Sequence, residues 1–240
     1  MLTKNQIKEL RQLHQKKFRV LQQQFLVEGV KMVKELIGSN HKFRAVYCVK
    51  TMAAEFPSAM VISNDQMAQL SALTTPPGVI AVVDIPPLLP QNFTKGWTLV
   101  LNDISDPGNM GTLLRTADWF GIQQVVCSEN CVDVFNSKVV QASMGAIFRV
   151  SVHYTDVLKV LADCRKKEIP VFAADMRGKV LHDVVFPKTG LLVMGSESHG
   201  IGEEIKSLVS ECITIPGKGN SESLNVSVAA GIICSRLPII

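Results

Sequence analysis

The 240-residue chain has no C-x-x-C pair, no internal repeat, no low-complexity tract and no uninterrupted apolar run near the roughly 18–20 residues of a membrane span. Its six cysteines (Cys48, Cys127, Cys131, Cys164, Cys212 and Cys234) are scattered, with no His beside them at metal-ligand spacing. Several fall within apolar runs, which reads as buried free thiols of a reducing compartment and gives no metal site. The opening residues MLTKNQIKELRQLHQKKFRV lack the apolar centre of a signal peptide. The expectation is a soluble, cytoplasmic protein with no membrane partner. Also missing is a G-x-G-x-x-G fingerprint: Ser105 to Gly111 does not supply one, which argues against a dinucleotide-dependent oxidoreductase.

What is present is enough apolar material, 47% of residues, to bury a core in one or two domains. The net charge of +4 is unevenly spread. Residues 1–95 carry 12 Lys and Arg against 6 Asp and Glu, and residues 96–240 carry 13 against 15. Lys4, Lys8, Arg11, Lys16, Lys17 and Arg19 crowd the start of the chain against Glu9 alone. Such an arm is either a solvated helix face or the electrostatic footprint of a phosphate backbone.

Hydrophobic periodicity divides the chain. The residues to about Gln15 read as helical, and Phe25 to Ile37 (FLVEGVKMVKELI) reads as a strand edge entering an amphipathic helix that Gly38-Ser39-Asn40 ends. Phe43 to Val49 alternates like a strand, Ser63-Asn64-Asp65 offers a helix start, and Val79 to Val83 is a β-branched run. Together these make a small α/β unit over residues 1–90. Three prolines between Ile85 and Gly96 place a linker at 86–96.

Over residues 97–240 strands and helices alternate, which argues a mainly parallel sheet with helices on both faces. Asp133 is the expected cap of a helix around Val134 to Ala142, and Thr155 or Asp156 that of the next, whose last turn holds Arg165-Lys166-Lys167. Ala146 to Val152 and Pro170 to Ala174 read as strands.

Three stretches share a design of strand, irregular polar loop and helix. In Asn102 to Gly121 (NDISDPGNMGTLLRTADWFG), the strand Trp97–Leu101 leads through a loop at Asp106-Pro107-Gly108-Asn109 into a helix burying Leu113, Leu114, Ala117 and Phe120. Arg115, about one turn into that helix, lies off the apolar stripe and faces solvent or a ligand. The other two are Leu191 to Ile205 and Cys212 to Arg236. The residues Asn109, Gly111, Arg115, Thr116-Ala117 and Phe120-Gly121, then Gly195, Glu197 and Gly200, then Ile215-Pro216, Gly219 and Ser223-Leu224-Asn225-Val226-Ser227 recur in order. They closely resemble the three motifs of the SpoU or TrmH family of RNA ribose 2′-O-methyltransferases, in the SPOUT superfamily. The chain departs from the family at Gly217, where Met is usual.

The resemblance implies a C-terminal domain tied into a deep trefoil knot. It implies S-adenosyl-L-methionine held by main chain at positions matching Gly195, Ile215 and Leu224, and a homodimer through the catalytic domain. The catalytic positions it implies are Arg115, Asn109, Glu197, Ser223 and Asn225. Arg115 then either grips a phosphate and stabilises a developing alkoxide or serves as base, although an Arg resists deprotonation. Ser223 is equally readable as the cap of the last helix, Leu224 to Arg236. That helix, apolar nearly all round, is either an interface or wholly buried. Residues 1–90, through FLVEG (Phe25 to Gly29) and TPPGV (Thr75 to Val79), resemble the ribosomal-protein-like RNA-binding domain that often precedes the catalytic one. The implied substrate is structured RNA, rRNA slightly ahead of tRNA. A non-catalytic RNA-binding protein that kept the fold is the alternative.

Overall fold

The computed structural model describes residues 2–196 and 200–238. They form two compact units, Met1–Pro87 with Asp133–Phe148, and Leu88–Val132 with Arg149–Ile240.

The first unit begins with α1 (Lys4–Gln12), closed by a capping box in which the Thr3 hydroxyl accepts from the Gln6 N–H and the Gln6 side chain accepts from the Thr3 N–H. Next come α2 (Lys16–Gln22), β1 (Gln24–Glu28), α3 (Val30–Ile37), β2 (Phe43–Val49), β3 (Met60–Ile62), α4 (Asn64–Leu70) and β4 (Val79–Asp84). The sheet order is β1-β4-β2-β3, with β4 antiparallel to both β1 and β2. Alternation along β1 and β4 sends Phe25, Val27, Val79, Ala81 and Val83 into one core and Leu26, Ile80 and Val82 into another. Both sheet faces are covered, which explains the unbroken apolar run of β4.

The segment Asp133–Phe148 belongs to this unit, so residues 97–240 are not continuous in space. Its helix, Ser137–Ser143, brings Val140 against Phe25 and Val27, together with Ile147 and Phe148 beyond it. Asn136, and not the expected Asp133, caps that helix, accepting from the Lys138 N–H. The Asp133 carboxylate is taken up by Arg19. The expected strand from Ala146 to Val152 is a 3₁₀ turn over Ala146–Phe148, and the strand begins only at Ser151. Met144 and Gly145 turn left-handed just before it (φ 51° and 96°), which stops extended pairing there.

The second unit holds β5 (Trp97–Leu101), α5 (Pro107–Trp119) and β6 (Gln124–Cys127). With Ser137–Ser143 counted as α6, it continues as β7 (Ser151–Tyr154), α7 (Val157–Lys166), β8 (Val171–Val180), β9 (Gly190–Met194), α8 (Glu203–Lys206), β10 (Glu211–Thr214) and α9 (Val226–Cys234). Its six strands pair in parallel in the order β10-β8-β9-β5-β6-β7. Every residue of β5 is buried, as a central strand covered on both faces requires. Asp156, one of the two expected caps, starts α7. The strand foreseen at Pro170 to Ala174 runs on to Val180, and its pairing with β10 jumps from Ala173 to Lys179. Gly178 sits in that irregularity, where an added Cβ would lie 2.5 Å from the Cys212 carbonyl oxygen.

Two helix starts differ from expectation. The Asp106 side chain accepts from the Asn109 N–H with Pro107 in the first helical position, so Asp106 to Asn109 are the cap and first turn of α5 and not a loop. Arg115 therefore lies about two turns into the helix and not about one. At the other end of α5 the Ile122 N–H reaches back to the Ala117 carbonyl across Gly121 (φ 70°), a Schellman closure. Asn225, and not Ser223, caps α9, and the helix begins at Val226.

Candidate active site

The sheet order reverses beside β5, with β6 and β7 on one side and β9 and β8 on the other. Parallel sheets bind ligands outside the carboxyl ends of their strands at such a reversal. Here those ends open on two cavities, of about 280 Å³ and about 960 Å³. Asp103 and Ser196, which follow β5 and β9, line both. Asp103 adopts a left-handed φ of 59°, a conformation that non-glycine residues seldom take. It is held there by Ser128, whose hydroxyl donates to Asp103 Oδ1 at 3.0 Å and accepts from the Asp103 N–H at 2.9 Å. Asp106 adds a carboxylate to the smaller cavity, and Glu129, Asp156, Glu203 and Glu204 add more to the larger. Cavities so lined attract cations and repel phosphates.

The first and third motifs meet at the helix starts. Asn225 Nδ2 donates to Asn109 Oδ1 at 2.9 Å, joining residues 116 apart in sequence. The buried Ser227 donates its hydroxyl to the same Oδ1 at 3.3 Å and to the Asn109 carbonyl at 3.2 Å. Asn109 and Val226 both line the smaller cavity. Arg115 is exposed on α5 and makes no hydrogen bond or ion pair among the described residues, so its guanidinium fork is available.

The Gly195 loop folds tightly on itself. Ser196 and Gly200 form an isolated bridge, and a Cβ on Gly195 would lie 2.1 Å from the Gly200 carbonyl oxygen. Only glycine fits a main chain drawn so close. Ile215 follows β10 and is partly buried, whereas Ser223 and Leu224 are exposed just ahead of the α9 cap. Glu197 lies outside the described residues.

The sequence profile of the SpoU rRNA Methylase family matches residues 96–235, and that of the MRM3-like substrate binding domain matches residues 4–81. The chain belongs to the SpoU rRNA Methylase family. A TrmH-family structure from Porphyromonas gingivalis superposes with a TM-score of 0.89 at 39% identity, covering 98% of each chain. The 23S rRNA (guanosine(2553)-2′-O)-methyltransferase RlmP of Bacillus subtilis is 28% identical over 98% of this chain and 96% of its own length. The SpoU methyltransferase AviRb of Streptomyces viridochromogenes, solved with AdoMet, shares the fold at a TM-score of 0.85 and 22% identity, over 98% of this chain and 97% of its own.

In this SpoU chain the basic arm divides. Lys4, Lys8 and Arg11 are exposed along α1, in which Ile7 is buried, and Lys16 and Lys17 are exposed at the start of α2. Arg19 is not part of that surface. It is 3% exposed, its Nε and Nη2 hold the Asp133 carboxylate, and its Nη1 donates to the Leu13 carbonyl. The α2 turn that presents Lys16 and Lys17 outward points Arg19 inward, where its charge is neutralised within the fold.

Sequence reasoning missed Asp103, Ser227 and Cys131. An Asn-Asp pair directly after a buried strand signals a left-handed turn and could have drawn attention to Asp103. Ser227 carried a signal only through its place in the third motif. Cys131 looked like any buried thiol. Its sulfur lies 3.3 Å from the Ile104 nitrogen and 3.5 Å from Ser128 Oγ. Hydrogen bonding from the Cys127 thiol above all, with help from Ser128 and the Ile104 N–H, outweighs burial and brings Cys131 down to about 6. Cys127, deeply buried and giving its proton to that contact, is pushed well above the usual thiol range.

Proposed function

We propose that this protein methylates a ribose 2′-hydroxyl of structured RNA, ribosomal RNA ahead of transfer RNA, using S-adenosyl-L-methionine. The observation that carries the reading is the Asn225–Asn109 bond, which joins the first and third motifs at the wall of one cavity, while Arg115 is exposed about two turns further along the same helix. The cofactor fits what the chain offers: a main chain at Gly195 too tight for any side chain, and carboxylates that suit a cation. Gly195, Ile215 and Leu224 would hold it. When bound, it supplies an electrophilic methyl on a positively charged sulfur.

The chain's own task is to bring the ribose oxygen into line and ease the loss of its proton, and positioning carries much of the barrier reduction. Arg115 keeps its charge, so it serves best by gripping the neighbouring phosphate and stabilising negative charge on the attacking oxygen. Asn109 and Asn225 orient the sugar, and Glu197 and Ser223 complete the catalytic set that the family motif implies. Lys4, Lys8, Arg11, Lys16 and Lys17 form a phosphate-binding face on the N-terminal unit. The third motif supports a homodimer: Leu224, just ahead of the α9 cap, and Val228 and Ile232 on the helix stay exposed at 47%, 51% and 37%. Family membership supports the trefoil knot, and the six free cysteines agree with a reducing cytoplasm.

The deciding experiment transfers labelled methyl from S-adenosyl-L-methionine to total RNA from cells lacking the protein, with wild type and Arg115→Ala, followed by mapping of the product. Label on one ribose, lost in the variant, is the expected result. If neither naked RNA nor precursor particles are labelled while RNA still binds, the chain is a non-catalytic RNA-binding protein.

A further inference from the structure

The last residue of α5, Trp119, is 83% exposed, whereas the chain's other tryptophan, Trp97, is 6% exposed. An indole left in water forgoes the large gain that burying its area would bring. Among the described residues Trp119 has no ring or cation stacked on it. Arg115 lies four residues earlier, so the two side chains sit one above the other on the face of α5 opposite the buried Leu113, Leu114 and Ala117. Thr112 is exposed on the same face, with its hydroxyl turned back onto the Gly108 carbonyl at 2.8 Å. Beside the ring, the Asp118 carboxylate is held by Arg149, whose Nε lies 3.0 Å from both oxygens and whose Nη2 lies 2.9 Å from Oδ2. That acid is neutralised, and Arg115 leaves the face positively charged.

A flat apolar ring one turn from a cation suits a nucleobase and its phosphate. A base needs a single ring to stack on, and every base has a π-face to offer. A subunit interface needs apolar neighbours around the ring, and α5 exposes no other large apolar side chain. The same helix begins at the 280 Å³ cavity, where Asn109 lines the wall. At the helical rise, Arg115 stands about 9 Å along the axis from Asn109, and Trp119 about 15 Å. We propose that Trp119 is a stacking platform for an unpaired RNA base that flanks the methylated nucleotide, with Arg115 gripping the phosphate between them. The proposal rests on the methyltransferase reading above and extends its substrate site along α5. The separation of Trp119 from the cavity assigns it a neighbouring base and not that of the reacting nucleotide. Both faces of a base inside a duplex are already covered, so the flanking strand has to be single.

Trp119 reports on its own occupancy. Stacking on a base quenches indole emission, and the buried Trp97 supplies a background that Trp119→Phe isolates. Three probes are titrated into the full chain at low salt: a short single-stranded oligoribonucleotide of mixed sequence, an abasic strand of the same length, and the oligoribonucleotide paired into a duplex. The single strand should quench wild type strongly, and the abasic strand and the duplex only weakly. Trp119→Ala should bind the single strand about 5- to 150-fold more weakly, the usual loss for one stacked base, with the slope of log affinity against log salt unchanged. Trp119→Phe, which keeps a ring, should recover most of that affinity, and Arg115→Ala should instead lower the slope by about one. Equal quenching by the abasic strand or the duplex, or wild-type affinity in Trp119→Ala, overturns the proposal. So does a fall of Trp119→Ala from dimer to monomer in light scattering, which would place the ring between subunits. Selective quenching by the single strand in a wild type that methylates no RNA supports the stacking site and removes the methyltransferase reading alone.

Discussion

Arg19 and Asp133 stand 114 residues apart in sequence and form a two-pronged pair at 3.0 and 2.5 Å, with their side chains 3% and 14% exposed. The pair ties the segment Asp133–Phe148 to the helices at the start of the chain, inside one compact unit. Removing one partner of a buried pair strands the other charge, at about 3–5 kcal/mol. Arg19→Ala and Asp133→Ala should each destabilise the first unit by that order in urea denaturation. Neither should change the salt dependence of RNA binding beyond what unfolding explains. A stable Arg19→Ala protein with a shallower salt slope would mean that Arg19 reaches phosphate after all.

That pair also shows where sequence reading stops. Element bounds set by local pattern were legible: β2 runs over Phe43–Val49 as its sequence alternation indicates, although its burial deepens along the strand and does not alternate, and Ser63 caps α4 as its position indicates. The parallel sheet followed from alternating strands and helices. Burial of Arg19 and the return of Ser137–Ser143 to the first unit were not legible, because both depend on a partner more than a hundred residues away. Capping failed by three residues at Asp133 and by two at Ser223 because several capping side chains stood in each stretch, and tertiary partners chose among them. In the site, the motif pointed to Asn109, Arg115 and Asn225, while the hydrogen bonds of Ser227 needed coordinates.

Lys4, Lys8 and Arg11 recur at helical spacing on the exposed side of α1. Each phosphate contact removed should lower the slope of log affinity against log salt by about one. Replacing all three with Gln should therefore weaken structured-RNA binding most at low salt and flatten the slope by about three, with kcat at saturating RNA retained. Filter binding across a salt series reads this directly. An unchanged slope would mark α1 as a merely solvated face.

Cys131 gives a pH dependence with a definite sign. Its thiol falls to about 6 in the folded protein from an ordinary value of 9.0, first through the Cys127 thiol and then through Ser128 and the Ile104 N–H, against burial. A depressed acid stabilises the fold above its unfolded value, and that contribution is lost as pH falls through the folded value. Over pH 6 to 9 the unfolded chain holds a proton that the native protein has released, so stability from this group rises with pH. The stability gap between wild type and Cys131→Ser should widen steadily from pH 6 toward pH 9 in denaturant titrations. A gap independent of pH would show that Cys131 remains a thiol.

Val228 and Ile232 lie one turn apart on α9 and remain exposed, while Val226, Ala230 and Ile233 are buried. Isolated exposed side chains need no explanation, but an aliphatic row continuing from Leu224 fits a second copy of the chain. Light scattering should give wild type a mass near twice 26.3 kDa and the double variant Val228→Glu/Ile232→Glu a mass near that of one chain. A wild type already monomeric at micromolar concentration removes the dimer.

Gly195 offers the sharpest separation between a structural glycine and a cofactor site. An added Cβ would lie 2.1 Å from the Gly200 oxygen, 2.3 Å from the Gly200 carbonyl carbon and 2.8 Å from the Ile201 nitrogen. All three are backbone atoms, so relief requires the main chain to move and not a side chain to rotate. The sheet pairing of β9 ends at Met194 against Leu101, one residue earlier, so the displacement falls on the loop. If that loop holds the cofactor through its main chain, Gly195→Ala should weaken S-adenosyl-L-methionine binding by at least about ten-fold, about 1.4 kcal/mol, in titration calorimetry. Its far-ultraviolet circular dichroism should match wild type. A variant that loses thermal stability yet binds the cofactor at wild-type affinity would make Gly195 a turn residue only, and the cofactor's main-chain contacts would then have to come from Ile215 and Leu224.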